Sequence, residues 1–321
     1  MRILCGIKYQ VLITSYKAVI TISIMRIIGH SDRIFRLNQT LQEGASAHAY
    51  LFVGPEAVGK HTIALAFARA LIAGQKKLSF IDGWRERDFY GDLLLCAPQR
   101  EEKKGSTREK EIPIETIRSV QRKLTLSPRH GKYKVLVIDQ ANMLTTGAQS
   151  ALLKTLEEPY QKTILILVTH EENALLSTVR SRCERVLFGL VTQNDIVKNF
   201  SSSKINEQEL QILSCGRPGM AKRLCTNESF WKEQKEAAES LQTCLKGKIA
   251  QRLALAENLS KDLQKAQEYL LLWNAILRQE MLDKLSVQSY KRIILIHKTM
   301  RLLRRTNVNS RLALENLFLN L

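Results

Sequence analysis

Residues Ala49–Gly74 read AYLFVGPEAVGKHTIALAFARALIAG, and the rest of the chain can be placed around them. Five apolar or aromatic residues, Ala49 to Val53, run up to Gly54, as a buried strand does. Gly54-Pro55-Glu56-Ala57-Val58-Gly59-Lys60 follows. Ile63, Ala66, Phe67, Ala70 and Leu71 then recur at three- and four-residue spacing, a helical period. Strand, glycine loop, lysine and helix in that order make a phosphate cradle. Gly54 and Gly59 let backbone N–H groups converge on an anion, Lys60 adds a point charge, and the helix N-terminus adds its partial positive end. The full pattern places Ser or Thr straight after the lysine, where its hydroxyl ligates Mg²⁺. Here His61 stands in that place and Thr62 comes one residue late. The loop is built for phosphate, with one catalytic part displaced.

The chain has 321 residues, long enough for two or three domains, and is 45% hydrophobic and 25% charged, as soluble globular proteins are. A net charge of +18 favours an anionic partner, nucleic acid or an acidic protein surface. Cys5, Cys96, Cys183, Cys215, Cys225 and Cys244 form no C-x-x-C pair, which argues against zinc and against a disulfide framework and points to a reducing cytoplasm. Residues 1–24 are apolar in places, but Lys8 and Lys17 interrupt them, so neither a membrane span nor a signal peptide is expected. Met25 opens MRIIGHSDRIFRLNQTL, and the expectation is that residues 1–24 are a loosely attached extension or a mis-assigned start.

Around the phosphate loop the pattern alternates helix and strand. Ser31 and Asp32 are candidate caps for a helix through Ile34, Leu37 and Leu41. Residues 75–112 are charge-rich and poorly periodic and read as an exposed loop. Pro113 suits the first turn of a helix through Ile117, Val120 and Leu124. Lys134–Asp139 reads as a buried parallel strand ending in a carboxylate, at the sheet edge where open α/β folds handle ligands. Thr146-x-x-Gln149 has the form of a capping box, Thr163–Thr169 reads as another buried strand, and Glu184–Phe188 as the last. Gly216-Arg217-Pro218-Gly219 is a turn, and from Phe230 onward only helical periodicity remains. The reading is α/β with a parallel sheet, then an all-α C-terminal part.

Three further runs carry a family resemblance: Asp139-Gln140-Ala141-Asn142-Met143-Leu144, Ala151-Leu152-Leu153-Lys154-Thr155-Leu156-Glu157-Glu158-Pro159, and Ser177-Thr178-Val179-Arg180-Ser181-Arg182-Cys183. With His48–Phe52 and Ile27-Ile28-Gly29-His30, they resemble AAA+ clamp-loader subunits of the bacterial DNA polymerase III holoenzyme. The resemblance implies a RecA-like P-loop domain over 25–190, a small helical lid over 191–228 and a helical collar for oligomerisation over 229–321. It implies a nucleotide site made of Gly54, Gly59, Lys60, His61, Thr62, Asp139, Thr169 and Ile28, with Asp139 facing Mg²⁺. Arg182 becomes an arginine finger offered in trans to a neighbour's ATP, since a guanidinium stabilises charge on a transferring phosphoryl group. The implied partners are the tau/gamma and delta subunits in a hetero-pentamer, with the sliding clamp and primer–template DNA reached through the complex.

Departures from the family pattern cluster in the pocket. His61 replaces the metal-binding hydroxyl. Gln140 replaces the glutamate after the strand-end aspartate and cannot take a proton from water. Gly219 stands where active members carry a lid arginine, with Arg217 two places early. The expectation is therefore a subunit that binds ATP and Mg²⁺ weakly or not at all, hydrolyses little in cis, and holds no zinc. The alternative is a clamp-loader ATPase that hydrolyses ATP at its own loop; a small-molecule P-loop kinase leaves Ser181-Arg182-Cys183 unexplained. A basic cluster, Lys291, Arg292, Lys298, Arg301, Arg304 and Arg305, is equally a DNA-facing and a solvated face.

Overall fold

The computed structural model describes residues 8–10, 19–21, 27–44, 47–78, 80, 91–103, 106–200, 205–305 and 308–321. Most of the segment expected to be an extension, 1–24, lies outside the described residues. Within it, β1 (Lys8–Gln10) and β2 (Val19–Thr21) pair antiparallel. The chain divides into two compact units, 1–191 and 192–321.

The first unit is built on a parallel five-stranded sheet. Its strands are β3 (Ala49–Val53), β4 (Leu93–Cys96), β7 (Lys134–Ile138), β8 (Thr163–Thr169) and β9 (Glu184–Leu187), in the spatial order β4-β7-β8-β3-β9. All four pairings are parallel. The near-continuous apolar runs follow from burial on both faces. Tyr50, Phe52, Val135, Val137, Ile164, Ile166 and Val168 pack into one core with α1 (Ser31–Glu43) and α2 (Lys60–Ala73). Their neighbours Ala49, Leu51, Leu136, Ile138, Leu165 and Leu167 point into a second core with α3 (Ile114–Leu124) and α4 (Thr146–Glu157). Successive side chains on a strand face opposite sides, so one run feeds two cores.

Four local readings need correction. The stretch 75–112 is not all loop: Leu93–Cys96 joins the sheet as an edge strand, and β5 (Gln99–Lys103) pairs with β6 (Ser106–Lys110) as an antiparallel hairpin. A four-residue strand is too short to show a period against charged flanks. Helix α1 starts after His30 in a left-handed conformation, so neither Ser31 nor Asp32 caps it. Pro113 is the residue before α3, with extended backbone, rather than part of its first turn. At α4 the cap is Thr145, whose Oγ1 accepts from Ala148 N at 3.2 Å. Gln149 is then free for long-range bonds.

The second unit is all helical: α6 (Gln193–Phe200), α7 (Glu207–Ser214), α8 (Pro218–Thr226), α9 (Glu228–Lys246), α10 (Ile249–Ser260), α11 (Leu263–Lys284), α12 (Val287–Arg305) and α13 (Ser310–Asn320). Trp273 is fully buried at its centre, donating Nε1–H to Ala237 O at 2.7 Å and meeting the Phe318 ring at 5.3 Å. The Gly216–Gly219 turn places Cys215 and Gly216 in the left-handed region and starts α8 on Pro218. Gly219 therefore lies in the first turn of that helix. No helix among the described residues is long and apolar enough to cross a membrane.

Candidate functional site

Parallel strands put all their carboxyl ends on one edge, and the pocket is assembled there. Gly54 N–H donates to Thr169 O at 3.3 Å, Asp139 N–H to Cys96 O at 2.8 Å, and Phe188 N–H to Val53 O at 2.7 Å. These bonds tie the end of β3 to those of β8 and β9, and the end of β7 to that of β4. Gly54 is required by close approach: a Cβ there would lie 2.2 Å from Phe188 O. Gly59 is required by conformation, with φ of 101° immediately before α2. The loop thus turns its backbone toward the N-terminus of α2, as an anion site needs.

Lys60 is 6% exposed, and its ammonium donates to Gly54 O at 2.6 Å and to Pro55 O. Burial lowers its pKa to about 8, while Glu56 and Asp139 pull the other way. His61 Nδ1 lies 3.2 Å from Asp139 Oδ2. The other carboxylate oxygen, Oδ1, accepts from Gln140 N at 3.0 Å. Burial pushes the Asp139 carboxyl upward, but His61, the Gln140 N–H and Lys60 together outweigh it and hold it below the usual carboxylate range. Gln140 has left-handed backbone, and its side-chain amide donates to Glu109 Oε1 at 3.1 Å. Thr169 is buried, with its hydroxyl shared between Asn142 Oδ1 and Glu171 O, both at 3.2 Å.

On the outer side of the loop, His170 Nδ1 sits 3.2 Å from Glu56 Oε1. His30 Nε2 lies 2.9 Å from Val58 O, and its ring packs edge-on to Phe188. Ile28 is buried two residues before α1's cap, and Gly29, with φ of 76°, stands against Val191. The segment 27–30 is therefore laid against the phosphate loop. Thr62 is half-buried one step along α2.

Arg182 lies elsewhere. The register of β9 on β3 pairs Tyr50 with Glu184 and Val53 with Leu187, and Arg182 stands two residues before Glu184, in the turn that leads into β9. Four residue steps separate the Tyr50–Glu184 level, where β9 begins, from Gly54, about 13 Å along the strands. Arg182 is at the amino end of the sheet and its own phosphate loop at the carboxyl end. Its guanidinium is partly exposed; Nη1 donates to Thr178 O at 2.9 Å and Nη2 pairs with Glu157 Oε1 at 2.8 Å. Both partners come from the motif runs, Thr178 from α5 (Ser177–Arg180) and Glu157 from the end of α4. Buried Gln149 ties those helices together. Its Nε2 donates to Leu144 O and Ala174 O, each at 3.1 Å, and its Oε1 accepts from Leu176 N at 2.7 Å.

A family model described as "DNA polymerase III, delta subunit" matches residues 29–192, half of the chain. The chain belongs to this family. It is a clamp-loader family member of DNA polymerase III, with a parallel five-stranded sheet packed on both faces by helices. It is 31% identical to DNA polymerase III subunit tau of Bacillus subtilis over 58% of this chain and 32% of that protein. It is 27% identical to DNA polymerase III subunit delta' of Pseudomonas aeruginosa over 64% of this chain and 63% of that one. The matched region thus spans between a third and two thirds of these relatives. A solved gamma subunit-related protein of Thermotoga maritima aligns over 90% of this chain and 98% of its own, at TM-score 0.48 and 19% identity.

For this clamp-loader family member, the residues fit one part of a nucleotide–metal group and not another. Gly59, Lys60 and the start of α2 suit a phosphate chain. His61 brings no hydroxyl to Mg²⁺ and sits against the carboxylate that would face it. Arg217 and Gly219 belong to the second unit. Among the described residues no cluster of three or more His, Cys, Asp or Glu is placed to hold a metal ion. Cys96, Cys183 and Cys244 are buried thiols pushed up to about 12, burial being the leading cause. Sequence reading missed Asn142, Glu157, Gln149 and the Glu56–His170 pair as working parts. Asn142 and Glu157 carried a signal, their places in the motif runs, and Gln149 a misleading one, its capping-box spacing; none of these showed the partners, which lie 25 or more residues away for the Thr169, Arg182 and Leu176 contacts.

Proposed function

We propose that this chain is the delta prime subunit of the bacterial clamp loader, a largely non-hydrolysing AAA+ subunit that supports ATP-driven loading of a sliding clamp. Arg182 is offered in trans to ATP held by a neighbouring subunit. The observation that carries the reading is the position of Arg182: partly exposed, braced by Glu157 and Thr178, and about a strand's length from the chain's own loop. A guanidinium so placed cannot reach phosphates bound in cis. It offers planar donors to a γ-phosphoryl group brought to it by another chain.

The pocket supports the same reading. Gln140 cannot act as a base, and its amide is turned to Glu109. The Thr169 hydroxyl is already bonded to Asn142 and Glu171. In this reading residues 191–228 are the lid and 229–321 the assembly region, the partners are tau/gamma and delta, and the protein works in the cytoplasm on primer–template DNA.

Reconstitution of the loader with Arg182→Ala tests it. Assembly by gel filtration should persist, while hydrolysis at the one site faced by Arg182 falls by about three orders of magnitude. Unchanged ATPase activity refutes the trans role. The second reading, a self-sufficient ATPase, is favoured by the intact cradle and buried Lys60. Steady-state hydrolysis by the isolated chain, abolished by Lys60→Ala, would establish it instead.

A further inference from the structure

Position 61 decides how the phosphate loop meets a divalent cation. A loop of this kind that uses Mg²⁺ takes a ligand from the hydroxyl following its lysine, and the strand-end carboxylate stands close by. Mg²⁺ demands oxygen donors in octahedral geometry, and imidazole suits other metals. In this chain the imidazole occupies that place. Oδ1 of Asp139 accepts the Gln140 N–H at 3.0 Å, and Oδ2 lies 3.2 Å from His61 Nδ1, an approach without hydrogen-bond geometry that sets the imidazole against the carboxylate. Thr62 is turned about 100° away around the helix. The hydroxyl of Thr169 is bound to Asn142 and Glu171.

What binds phosphate without a metal is intact. Gly59 keeps its left-handed turn, α2 opens its N-terminus behind it, and buried Lys60 rests on the loop carbonyls, within one side chain's swing of the cradle. We propose that this site takes a nucleoside di- or triphosphate as the metal-free anion, with His61 standing beside Asp139 in the place of the cation. Binding would then not depend on Mg²⁺, and the nucleotide would serve as a fixed structural ligand of this subunit. The inference rests on reading Gly54–Lys60 as a nucleotide phosphate cradle, and not on the trans role of Arg182.

Isothermal titration of the full chain with ADP, in excess Mg²⁺ and in excess EDTA, tests it. The two dissociation constants should agree within about threefold, less than 1 kcal/mol apart. His61→Ser, which restores the hydroxyl and frees Asp139, should bind at least about tenfold tighter with Mg²⁺ than with EDTA. Wild-type binding that requires Lys60 but weakens about tenfold or more in EDTA overturns the proposal and leaves the nucleotide reading standing. A His61→Ser variant that stays indifferent to Mg²⁺ overturns the role given to His61. Absence of ADP binding in both buffers, or binding that survives Lys60→Ala, removes the nucleotide reading and this inference together.

Discussion

Glu157 and Arg182 make a short ion pair at 2.8 Å, yet both side chains are substantially exposed. A pair in that setting adds under about 1 kcal/mol to stability, because water screens it and two long side chains lose freedom. Glu157→Ala should therefore leave the melting temperature within about 3 °C of wild type. Arg182 keeps its bond to Thr178 O and remains presented. ATPase activity of the assembled loader should not fall, since the Thr178 carbonyl still braces the guanidinium. A large drop in melting temperature would mark the pair as structural and weaken the case for Arg182 as a finger. Asp92 shows the opposite balance. It is fully buried and accepts N–H bonds from Arg129, His130 and Gly131 at 2.8–2.9 Å. Burial pushes its carboxyl up, but the three N–H groups and Lys134 prevail and hold it below the usual range. A depressed folded pKa means that the stabilisation is complete above the unfolded value of about 3.9 and disappears as pH falls through the lower folded value. Asp92→Asn should be about 2–3 kcal/mol less stable than wild type in urea titrations at pH 7. That gap should narrow below about pH 4.

At the level of elements, the sheet was legible and its attachments were not. Strands β3, β7 and β8 are apolar on both faces, so their runs stand out from any polar flank. Strand β4 has only four residues and alternates between buried and half-buried, and it disappears into a charged neighbourhood. The link from α4 to α5 was misread for a related reason: Gln149 at three residues from Thr146 has the spacing of a cap, while its actual partners are 5 to 27 positions away. Gln149→Ala would orphan Leu144 O, Ala174 O and Leu176 N. The expected cost is about 2–4 kcal/mol, one unsatisfied buried group costing about 1–3. Hydrogen exchange should quicken over residues 174–182 with the β3–β8 ladder unchanged. Exchange unchanged in that segment would show that α5 and Arg182 do not depend on Gln149.

For the molecule as a whole, two cores of separate make-up predict separable damage. Trp273 anchors the helical unit through Ala237 O and Phe318, and its truncation to Ala should cost that unit about 3–5 kcal/mol. Helical circular dichroism should fall at lower temperature, while the parallel-sheet unit keeps its own melting transition. One common transition, shifted as a whole, would refute that independence. The sequence by itself determined the superfamily, the parallel sheet, the helical C-terminal part and the three motif runs, because burial on two faces and glycine-dependent turns write local patterns. It also showed the substitutions at His61 and Gln140, since residue identity needs no fold. Tertiary structure decided what those residues do. Only the register of β9 on β3 puts Arg182 at the far end of the strands from Gly54, and only the packing of α2 beside β7 brings His61 to Asp139. The opening loop keeps its phosphate geometry, and the imidazole at position 61 lies against the carboxylate that a metal would otherwise face. Contacts of that kind join residues 78 or more positions apart, a distance over which no periodicity carries information.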